Sequence, residues 1–398
     1  MDFTKKYDVV VVGGGIAGVA AALQAARCGK KTALLEKTVM PGGLATTGLI
    51  YVYLPLCDGK GKRVTFGLSE ELLRLSIKYG PGEIPPSWHE NIDNDENKRY
   101  TVFSPASFII AMDEILGENG VDIWYDTLVC GVTQNDKRKI TGVIVENASG
   151  RGLVEAECFI DSSGECAVAR RAGCEILRND NCQSIWALEY NRTHNRDIGF
   201  GERISRFFWG HLEPEDSKDS ILYSDYSGKT VSKSVLDGRA KLRESLRKDY
   251  DSGQADRYSR YPLTLAAMPH FRKIYCIDGS YVLKAGEDNR HFEDSIGMAA
   301  DWRESGPVWE IPYRTLIPSK PIGGLLAAGR CSAATGDAWE ITRVIPVAAM
   351  TGQVAGLAAA LSIDAGIEPY ELEVEALQRE LRNLGFKLHL PEIGLNYR

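Results

Sequence analysis

The sequence predicts an α/β fold with a parallel sheet, an inserted antiparallel β-meander and a separate α+β domain. Three observations support this fold class. An apolar strand, a glycine-rich turn and a helix follow one another at the N-terminus. Short apolar segments separated by turn residues occupy 121–160. A further apolar strand and an alanine-rich helix lie near the C-terminus, so both ends of the chain supply the parallel sheet.

The N-terminal segment carries the most specific motif. Val9–Val12 reads as a buried parallel strand, and Gly13, Gly15 and Gly18 then form G-x-G-x-x-G. Such glycines allow a tight turn, the approach of backbone to a pyrophosphate, and close packing of helix on strand. Glu36 ends the next strand, where a carboxylate can accept hydrogen bonds from a ribose. The segment therefore predicts a Rossmann-like dinucleotide-binding domain.

The next part of the chain adds a loop and a helix to this domain. Gly42 and Gly43 suit a loop that passes close to a ligand, and Thr46 offers a hydroxyl there. Ser104 is placed as the N-cap of a helix over 105–117, because a proline follows it at the first helical position.

The antiparallel meander is predicted from a run of short strands. A turn over 147–152 joins the last two of them. The strands are expected over 121–125, 128–133, 140–146 and 153–160.

The character of the sequence changes between about 180 and 310, where charged and aromatic residues mix and glycine pairs disappear. We interpret 179–310 as the α+β substrate domain, and 1–178 with 311–398 as one discontinuous dinucleotide-binding domain. A strand and glycine turn over 323–330, a helix over 346–362 and an amphipathic helix over 370–385 complete the latter.

Composition narrows the possible functions. The 398 residues carry a net charge of −7, which argues against a nucleic-acid-binding surface. No membrane span and no signal peptide are expected, so a cytoplasmic location is predicted. The nine cysteines form no C-x-x-C pair and are interpreted as reduced thiols, and no metal site is predicted.

Four segments resemble one group of flavoproteins: VVGGGIAGVAAA with Glu36, MPGGLATTGLI, FIDSSGECAVARRAGCE, and IPYRTLIPSKPIGGLLAAGRCSAATGDAWEITRVIPVAAMTGQVAGLAAAL. The chain is similar to FAD-dependent oxidoreductases of the fumarate reductase and succinate dehydrogenase type, whose FAD domain is glutathione-reductase-like. The resemblance covers both ends and the middle of the FAD domain, and the last segment looks like the group's second FAD contact.

The resemblance implies FAD as the cofactor. We expect Arg343 and the positive end of the following helix to stabilise the anionic reduced flavin, and the carboxylate of Asp337 either binds cofactor hydroxyls or caps a turn. The predicted FAD-binding residues are Gly13, Gly15, Ile16, Ala17, Gly18, Glu36, Lys37, Gly42, Gly43, Leu44, Thr46, Val129, Gly164, Gly329, Asp337, Arg343, Val344 and Ile345.

On the substrate side, His270, Arg272 and His291 are the candidate catalytic residues. Histidine can transfer a proton near neutral pH, and arginine can bind a carboxylate through two hydrogen bonds. The stretch that starts at Arg272 lacks two arginines that the group has, and Glu340 replaces a small residue. Tryptophans in this half of the chain are assigned mainly to the core.

Three functions remain open from the sequence. The first is an enzyme that transfers a hydride between FAD and a small organic substrate. The second is a flavin monooxygenase on a related fold, which the Gly336-Asp337 pair echoes. The third is a flavin-carrying subunit that relays electrons within a complex. An electron-transfer partner or a homo-oligomer is therefore expected as well as a small-molecule substrate.

Overall fold

The computed structural model describes residues 1–84, 100–192, 203–210 and 221–398. Its strands are numbered β1 to β20 in chain order: Phe3–Lys6, Val9–Val12, Thr32–Leu35, Val52–Tyr53, Thr101–Val102, Asp122–Trp124, Leu128–Gln134, Ile140–Asn147, Gly150–Glu155, Cys158–Asp161, Ile176–Arg178, Asn181–Cys182, Ser184–Asn191, Ile204–Gly210, Leu222–Tyr223, Arg260–Leu265, Tyr275–Ile277, Ser295–Ala300, Val308–Pro312 and Leu325–Ala327.

The helices are numbered α1 to α8 in the same way: Ile16–Arg27, Leu68–Ile77, Pro105–Glu118, Ala167–Arg171, Gly228–Asp251, Asp337–Thr342, Ile345–Ala365 and Val374–Asn383. Short 3-10 turns are formed by Gly43–Ala45, Tyr313–Leu316, Gly329–Cys331, Pro369–Glu371 and Leu390–Ile393.

A five-stranded parallel sheet forms the centre of the molecule, in the order β20-β10-β2-β3-β6. Every neighbouring pair in it is parallel, and all four residues of β2 are buried. The continuous apolar run of this strand follows from its burial on both faces. Strands from residues 9 to 327 meet in one sheet, which confirms the α/β class with a parallel sheet.

A second sheet has the order β1-β9-β8-β7. Strands β7, β8 and β9 run antiparallel to one another, and β1 joins β9 in parallel. The strand expected over 121–125 as the first of the meander is β6, which instead pairs in parallel with β3 in the central sheet. The single strand expected over 153–160 is divided in the structure. Its first part belongs to β9, whereas β10 begins at Cys158 in the parallel sheet. The backbone N–H groups of Glu157 and Cys158 donate to the Asp8 carbonyl where the chain changes sheets.

Helices α1 and α7 pack against each other with unusually small separation. A Cβ atom added to Gly352 would lie 2.0 Å from the Ala17 carbonyl oxygen, and one added to Gly356 would lie 2.3 Å from that of Ala21. Glycine at these positions therefore lets the two backbones touch. Helix α7 has the length and apolarity of a membrane span, but 89% of that window is buried inside the protein.

Two predicted helix ends can be compared with the structure. Ser104 caps α3, because its side chain accepts a hydrogen bond from the Ser107 N–H group. The helix expected over 370–385 is shorter and spans Val374–Asn383, since the preceding residues form the 3-10 turn at Pro369–Glu371.

The segment between the two parts of the parallel sheet contains a three-stranded antiparallel sheet, in the order β14-β13-β16, on which α5 packs. A buried ion pair between Arg260 and Glu189, at 3.1 Å, joins β16 to β13. The hairpin of β18 and β19 contacts α7 and α8 instead. None of the nine cysteines, all of which lie among the described residues, forms a disulfide bond.

We predict that Gly352→Val destabilises the protein strongly, because the new side chain would collide with the backbone of α1. Overpacking lowers the free energy of unfolding by about 1–3 kcal/mol where side chains can move. We expect the upper end of this range here, because the obstructing atom is a backbone carbonyl oxygen. Gly117→Val is the matched control, since it adds its side chain to an exposed helical position with no atom within 4 Å. The urea midpoints of Gly352→Val and Gly117→Val are the measurement. Equal midpoints for the two variants would show that Gly352 is not needed for the contact between α1 and α7.

Candidate functional site

A cleft lies at the carboxyl ends of β2 and β10, between the N-termini of α1 and α7. We call it the nucleotide cleft. Both ends of the chain line it, and the predicted residues found there are Gly13, Gly15, Ile16, Ala17, Glu36, Lys37, Gly42, Gly43, Leu44, Gly164, Gly329, Arg343 and Ile345. A cleft at this edge of a doubly wound sheet is the usual place for a bound nucleotide.

The glycine turn leaves room for a ligand. Gly15 is the N-cap of α1, and a Cβ atom on it would meet nothing within 4 Å. The free N–H groups at this helix end favour a phosphate. Gly13 has φ of +98°, and a Cβ atom there would lie 2.6 Å from Cα of Ser163. The turn therefore requires glycine at this position.

The Glu36 carboxylate is held rigidly at the edge of the cleft. Its Oε2 accepts a hydrogen bond from the Gly14 N–H group at 2.7 Å. Its Oε1 accepts from both the N–H group and the hydroxyl of Thr38, at 2.8 and 2.9 Å. The side chain is buried yet lines the cleft, so an oxygen lone pair remains for a ribose hydroxyl.

A neighbouring cleft continues past Glu36 along β7. It is lined by Val129, Thr127, Lys37 and Glu165, of which Val129 and Lys37 were predicted. The Lys37 ammonium lies 3.0 Å from Glu165; burial opposes its charge, but the nearby carboxylate raises the pKa of Lys37. The two clefts together are long, with glycines in the middle and α7 at one end, which fits an FAD molecule.

Four of the predicted FAD-binding residues line neither cleft: Gly18, Thr46, Asp337 and Val344, of which Val344 lines the adjoining cavity described below. Gly18 serves packing, since a Cβ atom on it would lie 1.9 Å from the Gly13 carbonyl oxygen. The buried hydroxyl of Thr46 donates to the Pro41 carbonyl at 2.5 Å, while its neighbour Thr47 lines the cleft.

Asp337 lies outside the two clefts. Its carboxylate is exposed at the start of α6 and accepts a hydrogen bond from Arg303 at 2.9 Å. A role for Asp337 in binding the cofactor stays a prediction.

A cavity of about 740 Å³ adjoins the nucleotide cleft, and we call it the arginine cavity. It shares five lining residues with the nucleotide cleft: Leu44, Ala45, Arg330, Arg343 and Ile345. Its apolar wall is formed by Ile50, Val52, Leu54, Trp186, Phe208, Trp302 and Val344. Four guanidinium groups, those of Arg206, Arg272, Arg330 and Arg343, are set into this wall. An organic molecule with an apolar body and an anionic group matches such a surface.

Arg272 is the predicted catalytic residue that the structure places in this cavity. Its Nε and one terminal nitrogen are buried without a hydrogen-bond partner. Burial lowers the pKa of Arg272 below the usual value, and the Arg343 charge lowers it further. A guanidinium in this state is stabilised by an anion, because unpaired buried charge is costly.

Glu340 neutralises part of the positive charge. One of its oxygens lies 2.6 Å from the Lys273 ammonium, and the other accepts a hydrogen bond from Arg343. Burial opposes the carboxylate charge, but these two cations lower the pKa of Glu340 to about 2. One carboxylate thus offsets two cations, and the charge of Arg272 remains.

The two candidate histidines lie elsewhere. His270 is buried, with Nε2 at 2.5 Å from the Gly48 carbonyl oxygen and Nδ1 at 3.2 Å from that of Ser184. Burial lowers the pKa of His270 to about 4. His291 is about half exposed and packs against His389 and Tyr397. Neither histidine lines the two clefts or the arginine cavity, and a catalytic role for them stays a prediction.

Two arginines of the cavity escaped the prediction. Arg206 lies on β14, over the Trp186 ring at 4.7 Å, in a part of the sequence without a recognisable motif. Arg330 directly follows the predicted Gly329 and donates to the Phe271 carbonyl, so the glycine turn was the available signal. Trp186 and Trp302, assigned mainly to the core, line the cavity.

Comparison with known proteins agrees with this geometry. The chain is 28% identical over 211 residues to digeranylgeranylglycerophospholipid reductase of Picrophilus torridus, an alignment that covers 52% of this chain and 51% of the relative. It is 22% identical over 355 residues to the enzyme of that name from Methanoculleus marisnigri, covering 82% and 79%. The chain thus spans about half the length of the first of these curated relatives.

Among solved structures, the chain resembles a geranylgeranyl bacteriochlorophyll reductase-like protein from Thermoplasma acidophilum. The TM-score is 0.50 at 18% identity, covering 98% of this chain and 86% of the other, which shows a shared fold. A sequence model described as FAD dependent oxidoreductase matches residues 8–184 and 186–381. With this match over most of its length, the chain belongs to the FAD dependent oxidoreductase family, and FAD is its cofactor.

Proposed function

We propose that the protein transfers a hydride between FAD and an anionic organic substrate with a large apolar body, bound in the arginine cavity. The observation that carries this proposal is the shared wall of the cavity and the nucleotide cleft. Leu44, Arg343 and Ile345 line both spaces, so a substrate in one lies next to a cofactor in the other.

The bound FAD would supply the hydride acceptor or donor. In this proposal the N-terminus of α1 holds the pyrophosphate, and Glu36 accepts hydrogen bonds from the ribose. Arg343 and the N-terminus of α7 place positive charge at the end of the cleft next to the arginine cavity. Arg272 binds the anionic group of the substrate, and the aromatic wall excludes water from the apolar body.

The substrate domain is proposed to include residues 179–310, as the sequence suggests. Trp186, Arg206, Phe208, Arg272 and Trp302 all come from this range and form one side of the cavity. The relatives are named digeranylgeranylglycerophospholipid reductase. The phospholipid in that name combines a phosphate with a long unsaturated apolar body. That combination supports the proposed substrate class and favours reduction of a carbon–carbon double bond.

The finer likeness to the fumarate reductase and succinate dehydrogenase group is also proposed, on the four segments that carry the resemblance. A monooxygenase is less well supported, since Asp337, part of the Gly336-Asp337 pair, lines neither cleft and pairs with Arg303. A cytoplasmic location is proposed because none of the nine cysteines forms a disulfide bond, as is typical of a reducing compartment.

The function is tested by anaerobic stopped-flow mixing of the chemically reduced holoenzyme with unsaturated amphiphiles. Phosphate- and carboxylate-bearing compounds are compared with their neutral esters. Flavin reoxidation by the anionic members, with formation of the saturated product, is expected. We predict that Arg272→Met raises KM for the anionic compounds by about 10–100-fold, as expected for a lost charge-assisted hydrogen bond, and leaves the esters unaffected.

Two outcomes would contradict this proposal. In a parallel aerobic reaction of the reduced holoenzyme, incorporation of oxygen into the product would indicate the monooxygenase. An equal rise in KM for the anionic compounds and the esters in Arg272→Met would show that the guanidinium does not select an anion.

We predict that Gly15→Val abolishes FAD retention while the fold survives. The new side chain enters open space in the nucleotide cleft, at a backbone φ of −65° that valine tolerates. The flavin released from the purified protein, per chain, is the measurement. Gly117→Val again serves as control and should keep full occupancy, whereas full occupancy in Gly15→Val would be incompatible with a phosphate at this turn.

Opposite substitutions in one ion pair should move the flavin potential in opposite directions. Arg343→Met removes positive charge beside the cleft and is expected to lower the midpoint potential by about 20–40 mV, from roughly 1–2 kcal/mol of lost stabilisation. Glu340→Gln removes the opposing negative charge and is expected to raise it. Dye-coupled photoreduction measures both, and shifts of equal sign would contradict the proposed position of the flavin.

A further inference from the structure

A second cluster of chemically reactive side chains lies outside both clefts and the arginine cavity. His291 precedes β18, Glu310 lies on β19, and His389 precedes the 3-10 turn at Leu390–Ile393. We call these three residues the His–Glu–His cluster. One ligand atom from each lies within 4.8 Å of the others, although 98 residues of sequence separate the first from the last.

The distances in the cluster suit a small cation. Oε2 of Glu310 lies 3.2 Å from Nδ1 of His389 and 3.6 Å from Nδ1 of His291. Tetrahedral zinc with bonds of about 2.1 Å places neighbouring ligand atoms about 3.4 Å apart. Nδ1 of His291 also lies 3.0 Å from the Tyr397 hydroxyl, a contact that a bound ion would replace, and the His291 side chain is 48% exposed.

The carboxylate is oriented before any ion binds. Oε2 of Glu310 accepts a hydrogen bond from the Phe292 N–H group. Oε1 accepts hydrogen bonds from the Leu390 N–H group and from the Tyr397 hydroxyl. These contacts come from backbone groups and a phenol, so they fix the side chain without neutralising its charge. Oriented ligands of this kind are typical of metal centres.

The charge of Glu310 is the second argument. Its side chain is 0% exposed, and among the described residues its ion-pair partners are the two histidines alone. Other buried carboxylates nearby have permanent cations: Asp294 pairs with Arg314, and Asp301 pairs with Arg303. A fully buried carboxylate needs a compensating charge. A divalent cation between the two imidazoles and the carboxylate supplies it.

We propose that the His–Glu–His cluster binds one Zn²⁺ ion, through Nδ1 of His291, Nδ1 of His389 and Oε2 of Glu310. Two imidazoles with one carboxylate are ligands that zinc accepts, whereas Ca²⁺ and Mg²⁺ prefer sites made of oxygen atoms. The ion would tie the C-terminal segment to the β18–β19 hairpin. This site is structural and independent of the proposed redox reaction.

Equilibrium dialysis of the FAD-loaded protein against Zn²⁺, with metal analysis, tests the proposal. One ion per chain is expected, together with a rise of several degrees in Tm at saturation, because an ion that binds only the folded state stabilises it. His291→Gln and His389→Gln should each weaken binding at least about 10-fold, and the double variant should abolish it. Mg²⁺ should not compete.

Lys387→Gln is the control, since it alters an exposed charge two residues from His389 and leaves the ligands intact. Retained FAD in each variant shows that the fold is preserved. Absence of stoichiometric Zn²⁺ on the wild-type protein would overturn the proposal. Unchanged Zn²⁺ affinity in both single variants would also overturn the proposal. If the double variant does not fold, the affinities of the two single variants are the deciding measurement.

Discussion

The close contact between α1 and α7 is the constraint on which the site depends. These helices come from opposite ends of the chain, and Gly352 and Gly356 let their backbones touch. Each helix begins near the carboxyl edge of the parallel sheet. The contact therefore brings two positive helix N-termini to one cleft. Gly329 completes the junction, since a Cβ atom on it would lie 2.8 Å from that of Ala17. The cofactor site is therefore built by backbone packing as much as by its ligands.

Electrostatics then divides the site into two functions. Near α1 the groups are backbone N–H donors, the Glu36 carboxylate and the Lys37–Glu165 ion pair, which suits phosphates and a ribose. Near α7 the guanidinium groups outnumber Glu340, and Arg272 is left with buried unpaired nitrogens. A reduced flavin and the proposed anionic substrate both carry negative charge, so the same excess of positive charge would serve both. The apolar wall around it strengthens these interactions by excluding water.

Much of the cofactor site could be predicted from the sequence because its residues act through local geometry. A glycine turn, a strand end and a helix start each have a signature that spans few residues, and the parallel strand over 9–12 was predicted correctly. The strand over 121–125 was assigned to the wrong sheet, because its short apolar pattern does not say which strand it pairs with. The division of 153–160 between two sheets was missed, since a change of sheet leaves the apolar pattern intact. That His270 and His291 lie outside the arginine cavity could not be predicted, because burial and distance from the cavity are properties of the assembled fold. Arg206 was missed for the same reason.

The most direct test of the account is a crystal structure of the FAD-loaded protein. The account predicts pyrophosphate density at Gly15, and the isoalloxazine ring between the loop at Gly43–Ala45 and the N-terminus of α7. One face of the ring would be open to the arginine cavity. A flavin ring bound away from Arg343, or separated from the arginine cavity by protein, would contradict it.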